Sequence, residues 1–323
     1  MTVRYTDPEW VALIRETEKA VKVATTPYPV PPLESGDFAK LIDHTLLKLD
    51  ATPAQIDGLC DEARREGFMS VCVRQNYVER CVENLKGSGV VVACVIGFHE
   101  GTYDINEKSN EALAAISSGA TELDIVINYP KLLSGAYNEI YIELATLRNL
   151  CATATLKLIL ETSQLPPPAI VAGTLLCTAA HFDFVKTSTG FNGRGATIDD
   201  VRLMRAVCEL HARNAGGGNE GGGTYAASTT ERRRTKVKAS GGLKGVWDVI
   251  KMVEAGAERI GTSSGVWIMQ EARAVRSERD RVSSRDGPAT GMGSTGKGQG
   301  QGQGLTRLYT DESVTEGTGG GCY

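Results

Sequence analysis

The sequence predicts a (β/α)₈ barrel of the TIM type, and three features of the chain support this α/β fold class. Strand-like runs alternate with helix-like stretches through about eight consecutive units. The strand-like runs are apolar on both sides, as in a parallel sheet that helices cover. Single ionisable residues interrupt four of these runs. Edge strands whose lysines extend into water are the alternative, but they account less well for four such strands than for one.

The first half of the predicted barrel contains four units. In each unit a run of β-forming residues precedes a longer stretch with helical spacing, and turn residues separate the two. The strands are predicted at 41–47, 69–73, 90–98 and 122–128, and the helices that follow them at 53–67, 75–87, 104–119 and 136–150.

The second half repeats the pattern four more times. Here glycine-containing turns follow the last three strands, as in TSTGFNGRG, SGG and GTSSG. The strands are predicted at 156–162, 182–188, 235–242 and 258–265, and the helices at 166–181, 197–213, 243–256 and 266–276.

Three segments lie outside this alternation. Residues 1–36 form an N-terminal extension, with a short helical pattern and a proline-rich connector ahead of the barrel at 37–276. Residues 214–235 are a glycine-rich insertion between helix 6 and strand 7, and residues 277–323 are a Gly/Ser-rich tail. Neither segment can bury enough apolar surface to offset its ordering entropy, so both are predicted to be disordered. The insertion is expected at the face opposite the usual active site.

Composition excludes several classes of function. The 323 residues are 41% hydrophobic and carry a formal charge of −4, which argues against general nucleic-acid binding. No apolar run is long enough to cross a bilayer, so no membrane partner is expected. Eight cysteines without a CxxC pair indicate a reducing compartment, and we expect a cytoplasmic protein. The four histidines lack metal-ligand spacing, so neither a metal nor another cofactor is predicted.

Lys186 is the most informative single residue. It interrupts the apolar run FDFVKTSTGF, where a buried ammonium is costly unless it is paired or becomes neutral, so its amine is a candidate carbonyl nucleophile. By the alternation of side chains along strands, Lys157, Lys238 and Asp124 project from neighbouring strands into the same barrel mouth.

This set has a direct chemical use. An ordinary lysine is almost wholly protonated at pH 7 and cannot attack a carbonyl. A second ammonium nearby disfavours the charged form, and Lys238 beside Lys186 is placed to do this. The iminium that follows attack is an electron sink for breaking an adjacent carbon–carbon bond, while Asp124 and Lys238 move protons.

The small-residue turns after the last strands predict a phosphate handle on the substrate. Their glycines let backbone N–H groups converge on an anion, and barrels often bind phosphate after strands 7 and 8. Helix capping is the alternative role for the two serines, and it is compatible with phosphate binding. The predicted contacts are Gly190, Gly241, Gly242, Ser263 and Ser264.

Seven motifs together resemble one known family. In chain order they are LIDHTLLK, VCV, ELDIVIN, LKLILETSQL, DFVKTSTGF, VKASGG and IGTSSG. The chain from about Asp37 to Val275 is similar to deoxyribose-phosphate aldolase, a class I aldolase of the barrel type. The resemblance implies reversible, metal-free cleavage of 2-deoxy-D-ribose 5-phosphate to D-glyceraldehyde 3-phosphate and acetaldehyde, within deoxynucleoside catabolism.

The resemblance also implies residue roles. It makes Lys186 the Schiff-base lysine, Lys238 the perturbing and proton-transferring lysine, and Asp124 the acid/base. It places Lys157 in the same pocket, with Asp43 and Thr45 from the first motif. For Asp43, an internal ion pair that holds a lysine is as reasonable as a direct catalytic role.

Alternatives remain at this point. Another Schiff-base sugar-phosphate aldolase would share the strand-6 lysine but not its pairing with the KASGG lysine. A non-catalytic sugar-phosphate-binding barrel would be expected to lose Lys186, Lys238 or Asp124, and all three are present. Some family members have a mobile tail whose last tyrosine visits the active site, so Tyr323 either does the same or is inert. The sequence is also compatible with a homo-oligomer.

Overall fold

The computed structural model is a closed barrel of eight parallel strands, which confirms the predicted fold class. It describes residues 5–216 and 234–285. The strands follow one another around the barrel in sequence order, and β8 closes it by pairing with β1. The strands are β1 (Ile42–Thr45), β2 (Ser70–Val73), β3 (Val91–Ile96), β4 (Glu122–Val126), β5 (Thr155–Ile159), β6 (Phe184–Lys186), β7 (Lys236–Ser240) and β8 (Arg259–Thr262).

At least one helix follows every strand and covers the outside of the barrel. Two helices, α1 (Asp7–Ala20) and α2 (Gly36–Ala39), come before β1. The others are α3 (Pro53–Glu66), α4 (Val78–Asn84), α5 (Ile105–Ser117), α6 (Tyr129–Leu133), α7 (Tyr137–Leu150), α8 (Pro167–Ala179), α9 (Ile198–Gly216), α10 (Val246–Glu254) and α11 (Gly265–Arg285).

The helix of the N-terminal extension packs onto the barrel's helix layer. The Glu9 side chain accepts a hydrogen bond from the Thr6 backbone N–H at 2.7 Å, and Pro8 occupies the first turn, so α1 has a well-defined start. Trp10 and Ile14 are buried, and α1 contacts α7 and α8. Burying each of these side chains stabilises the packed helix by about 1.5–3 kcal/mol.

Several element boundaries differ from those predicted. The segment predicted as a helix over 75–87 is a 3₁₀ turn followed by the shorter α4, and α11 continues to Arg285 beyond the predicted end at 276. Strand β6 is shorter than the predicted 182–188 at both ends. Thr187 then hydrogen-bonds β7 through its side chain, which accepts from the Ser240 N–H at 3.1 Å. The predicted disordered insertion and tail fall mainly on 217–233 and 286–323, outside the described residues.

Among the helices in the described ranges, none combines the length and the apolar character needed to span a bilayer.

Candidate active site

Charged side chains occupy the interior of the barrel, although apolar side chains could be buried there without ion pairing. Seven of them form one connected network of ion pairs, and all are buried. The cations are Lys157, Lys186, Lys238 and Arg259, and the carboxylates are Asp43, Glu122 and Asp124.

Asp124 lies at the centre of this network. One of its oxygens, Oδ2, accepts hydrogen bonds from Lys186 Nζ and Lys238 Nζ, each at 2.8 Å. Its other oxygen, Oδ1, is 2.9 Å from Lys157 Nζ. Strand register explains the convergence, because Asp124 pairs with Lys157 on β5 and Lys186 pairs with Lys238 on β7. The structure therefore brings the four ionisable residues that interrupt the strands into one group.

Asp43 is the second carboxylate of the network. Its Oδ2 accepts hydrogen bonds from Lys157 Nζ at 2.9 Å and Lys238 Nζ at 2.5 Å. Its Oδ1 accepts from Arg259 and from the Ser70 hydroxyl, both at 2.6 Å. Because both oxygens are fully engaged by protein donors, these contacts favour the ion-pair role for Asp43 over direct contact with a substrate.

Sequence reasoning missed two members of the network, Glu122 and Arg259. Glu122 Oε2 lies 2.6 Å from Lys157 Nζ and 3.2 Å from Arg259. Both residues begin their strands, where a charge is ordinarily assumed to face water. The available signal was alternation, since Glu122 is two residues before Asp124 and therefore shares its inward face.

The network sets the protonation of its members. If all seven groups were ionised, four cations would face three carboxylates, so the buried set would carry one excess positive charge. Burial acts to raise the pKa of Asp43 and of Asp124, yet the surrounding lysines hold both well below the usual range. Burial also acts to lower the pKa of Lys157, but Asp124, Asp43 and Glu122 raise it well above normal.

Lys238 has the opposite balance. Burial lowers its pKa, and the ammonium groups of Lys157 and Lys186 add to this effect against the attraction of Asp124 and Asp43. Lys238 and Lys186 share one carboxylate oxygen, so their amines are close neighbours. When all seven groups are ionised, the one excess positive charge of the buried set therefore acts on Lys186 and Lys238.

Lys186 is the lysine of the network that reaches the barrel opening. Its side chain is 4% exposed, whereas those of Lys157 and Lys238 are 0% exposed. Beside it the interior wall is apolar, formed by Leu47, Cys72, Ala93, Val95, Phe98, Val126 and Ile159. Val95 and Phe98 also line a cavity of about 490 Å³ at this end of the barrel. The lining of this cavity also includes Arg74, Asn110 and Glu111, but none of the lysines of the network.

We expect Asp43→Asn to lower the free energy of unfolding by about 3–5 kcal/mol, because it leaves buried cations without a counter-charge. Urea denaturation followed by circular dichroism at pH 7 measures this. Asp57→Asn is the matched control, since Asp57 pairs with Arg80 at the surface with 39% of its side chain exposed, and should cost less than about 1 kcal/mol. Equal losses in the two variants would contradict the electrostatic account of the interior.

Glycine-containing turns follow the adjacent strands β6 and β7, and they approach each other closely beyond the strand end that carries Lys186. Gly190, Gly241 and Gly242 have φ values of +85°, +84° and +74°, which L side chains rarely adopt. A Cβ at residue 241 would lie 2.9 Å from the Cα of Gly195 and 3.5 Å from that of Gly190, so the backbones approach closely. In the described part of the chain, the N–H groups of all three predicted contact glycines donate to no protein acceptor. They are available to an anion.

The remaining predicted contacts lie at the same end of the barrel. Ser263 and Ser264 precede α11, and within the described residues neither hydroxyl makes a hydrogen bond, so Ser264 does not cap the helix through its side chain. The Thr262 hydroxyl donates to the Leu243 carbonyl at 2.7 Å, which ties the turn after β8 to the turn after β7. Thr45 ends β1, and its hydroxyl donates to the Asp43 carbonyl at 3.0 Å.

The opposite end of the barrel also has a cavity of about 490 Å³. Its lining includes Glu122, Phe184, Lys236 and Arg259 but none of the lysines that surround Asp124. Within the described ranges, no group of three or more His, Cys, Asp or Glu side chains is arranged to hold a metal ion.

Comparison with known proteins gives a consistent set of relatives. The sequence profile of the DeoC/LacD family aldolases matches residues 38–271. A deoxyribose-phosphate aldolase from Coccidioides immitis is 46% identical over 270 residues, covering 82% of this chain and 92% of that protein. The deoxyribose-phosphate aldolase of Brevibacillus brevis is 43% identical over 238 residues, covering 74% of this chain and 97% of its own length.

Solved structures agree with these relatives. The crystal structure of a candidate deoxyribose-phosphate aldolase from Coccidioides immitis is similar, with a TM-score of 0.75, at 44% identity, covering 84% of this chain and 100% of that one. The tetrameric deoxyribose phosphate aldolase of Aeropyrum pernix has a TM-score of 0.64 at 28% identity, covering 76% of this chain and 94% of its own.

Proposed function

The chain belongs to the DeoC/LacD family of aldolases, and we propose that it cleaves 2-deoxy-D-ribose 5-phosphate reversibly to D-glyceraldehyde 3-phosphate and acetaldehyde. We place the reaction on a Schiff base of Lys186. The substrate is that of the relatives named deoxyribose-phosphate aldolase, which share 40–46% identity with this chain. In the cell the activity would serve the catabolism of deoxyribose phosphate and deoxynucleosides.

One observation carries the mechanism. Lys186 Nζ and Lys238 Nζ share a single oxygen of Asp124, and only Lys186 of the network's lysines has an exposed side-chain surface. An amine that meets an incoming aldehyde, with a second amine and a carboxylate beside it, has what Schiff-base formation needs: a nucleophile and groups that exchange protons with it.

The first step is attack of the Lys186 amine on C1 of the open-chain sugar. The amine must be neutral to attack, and Lys238 Nζ is its neighbour on Asp124 Oδ2. The resulting carbinolamine loses water and becomes an iminium. Protonation of the departing hydroxyl is assigned to the pair Asp124 and Lys238, because Asp124 lies within hydrogen-bond distance of both Lys238 and Lys186.

The second step breaks the bond between C2 and C3. A base removes the proton of the C3 hydroxyl, C3 becomes the aldehyde of glyceraldehyde 3-phosphate, and the bonding electrons form an enamine on C1, C2 and Lys186 Nζ. Protonation at C2 and hydrolysis of the iminium release acetaldehyde and restore the amine. Lys238 suits these transfers because its lowered pKa brings it closer to exchange near neutral pH.

The other predicted residues support this chemistry. Lys157 and Asp43 hold the charged centre together through their mutual ion pair of 2.9 Å. We assign the N–H groups of Gly190, Gly241 and Gly242, together with Ser263 and Ser264, to the phosphate. Thr45 lies at the carboxyl end of β1, where it can contact a substrate hydroxyl.

We further propose that the chain forms a homo-oligomer in the cytoplasm, in line with the tetrameric relative from Aeropyrum pernix.

Cleavage of 2-deoxy-D-ribose 5-phosphate by the purified chain tests the function. Glyceraldehyde 3-phosphate is followed by a coupled dehydrogenase assay with chelator present, and acetaldehyde is measured in parallel. We expect both products in equal amounts and no loss of rate with chelator. Cleavage of fructose 1,6-bisphosphate instead, or of no sugar phosphate, would contradict the proposal.

Lys238→Leu tests the like-charge argument. Without the second amine beside Lys186, borohydride trapping of acetaldehyde on Lys186 should fall at pH 7 and recover at high pH. Quantitative mass spectrometry of the reduced adduct across pH 6–10 measures this. A pH profile that matches the unmutated chain would show that Lys238 does not perturb Lys186.

A further inference from the structure

Glu161 is a buried carboxylate that the proposed mechanism does not use. It lies two residues after the end of β5, the strand that carries Lys157, and it is 1% exposed. Its backbone is left-handed, with φ 58° and ψ 61°, a conformation that is unfavourable for a residue with a side chain. Something must hold the chain in this conformation. In this conformation the Glu161 side chain makes hydrogen bonds to Thr189.

The Glu161 carboxylate binds the turn after β6. The Thr189 backbone N–H lies 3.4 Å from Oε1 and 3.3 Å from Oε2, and the Thr189 hydroxyl donates to Oε2. Burial raises the pKa of Glu161, while the hydrogen bonds from Thr189 and the ammonium of Lys186 act in the opposite direction. Both oxygens thus face the turn that begins three residues after Lys186.

Three consecutive backbone N–H groups in this turn differ in their hydrogen-bond acceptors. The N–H of Thr189 goes to Glu161, and the N–H of Phe191 donates to the Thr189 hydroxyl oxygen at 3.1 Å. The N–H of Gly190, between them, donates to no acceptor among the described residues. Glu161 therefore fixes the residue before Gly190 and, through the Thr189 hydroxyl, the residue after it.

We propose that Glu161 is a positioning residue that holds the Gly190 N–H ready for the substrate phosphate and thereby favours phosphorylated over unphosphorylated sugars. This inference rests on the proposed function, because it assigns the phosphate to that turn. Glu161 does not touch the reacting atoms in this account. It acts through Thr189, so its loss should weaken phosphate binding without removing the chemistry at Lys186.

Two variants separate the hydrogen bonds from the backbone conformation. Glu161→Ala removes the acceptors but keeps a side chain on a left-handed residue, so the backbone cost is matched. Glu161→Gln keeps one acceptor oxygen for the Thr189 N–H. Glu143→Gln is the control for loss of a buried carboxylate, because Glu143 pairs with Lys108 in the helix layer at 2.6 Å.

The decisive readouts are phosphate-specific. For Glu161→Ala we expect KM for 2-deoxy-D-ribose 5-phosphate and the Kd for inorganic phosphate, measured by calorimetry, each to rise about tenfold. Its kcat/KM for unphosphorylated 2-deoxy-D-ribose should stay within about twofold of that of the unmutated chain. Glu161→Gln should stay within about threefold on all three quantities, and Glu143→Gln should lower Tm without changing them.

Other outcomes would overturn the inference. A Kd for phosphate that changes less than twofold in Glu161→Ala would show that the turn does not depend on Glu161. An equal loss of rate with both sugars, or a Gln variant as weak as the Ala variant, would assign Glu161 a different role. Calorimetry needs no turnover, so it decides the role of Glu161 even if the chain fails to cleave the sugar phosphate, a failure that would count against the proposed function.

Discussion

Lys186→Met is expected to lower kcat for cleavage of 2-deoxy-D-ribose 5-phosphate by at least about 10³-fold, because the nucleophile is gone and no other amine of the network reaches the opening. Methionine approximates the length of the lysine stem but has no amine. The coupled assay for glyceraldehyde 3-phosphate measures the loss. Lys236→Met, which removes an exposed lysine at the start of β7, is the matched control and should keep normal turnover.

The same variant should fold normally. Removing one ammonium leaves three cations facing three carboxylates, so Lys186→Met relieves the excess positive charge of the buried network rather than creating one. Urea denaturation should therefore give a free energy of unfolding at least equal to that of the unmutated chain. A variant that keeps more than a tenth of its turnover would contradict the assignment of Lys186 as nucleophile.

Asp124→Asn carries the second large effect. The carboxylate that connects Lys186 to Lys238 becomes an amide, so we expect kcat to fall about 10²–10⁴-fold through loss of proton transfer. Lys238, the other proton donor assigned to the departing hydroxyl, is still present in this variant, so Lys186 should still form an adduct with acetaldehyde. Comparison of turnover with the yield of the borohydride-reduced adduct separates the two effects.

Asp183→Asn is the control for this experiment. Asp183 precedes β6 but pairs with Arg148, and 46% of its side chain is exposed, so the variant should leave both turnover and adduct yield unchanged. If turnover and adduct yield fell together in Asp124→Asn, Lys238 alone would not suffice for Schiff-base formation, and the main requirement for the carboxylate would lie in that step rather than in the proton transfers after it.

The sequence was sufficient to predict the barrel and the convergence of four ionisable side chains inside it, because both follow from simple periodicities. Alternation along a strand put Lys186, Lys157, Lys238 and Asp124 on inward faces, and parallel strands in sequence order make neighbours of β4 to β7. Closure of the barrel could then only bring these side chains together. The small-residue turns predicted backbone N–H groups that converge on a phosphate, and this assignment stays a prediction.

Other parts of the site depend on contacts between residues that are far apart in the chain, and no local sequence pattern predicts these contacts. Arg259 lies 216 residues from Asp43 in sequence, and their ion pair exists only because β8 closes the barrel against β1. Sequence patterning places Glu161 in the strand predicted at 156–162, and its left-handed backbone and its bonds to Thr189 become visible only when β5 and β6 are adjacent.

Trapping the Schiff base is the most direct test of the central claim. The chain is treated with acetaldehyde and borohydride at neutral pH, digested, and mapped by mass spectrometry. The account predicts a single reduced two-carbon adduct on Lys186, absent from Lys186→Met. An adduct on another lysine, or none at all, would contradict the claim that Lys186 is the Schiff-base nucleophile.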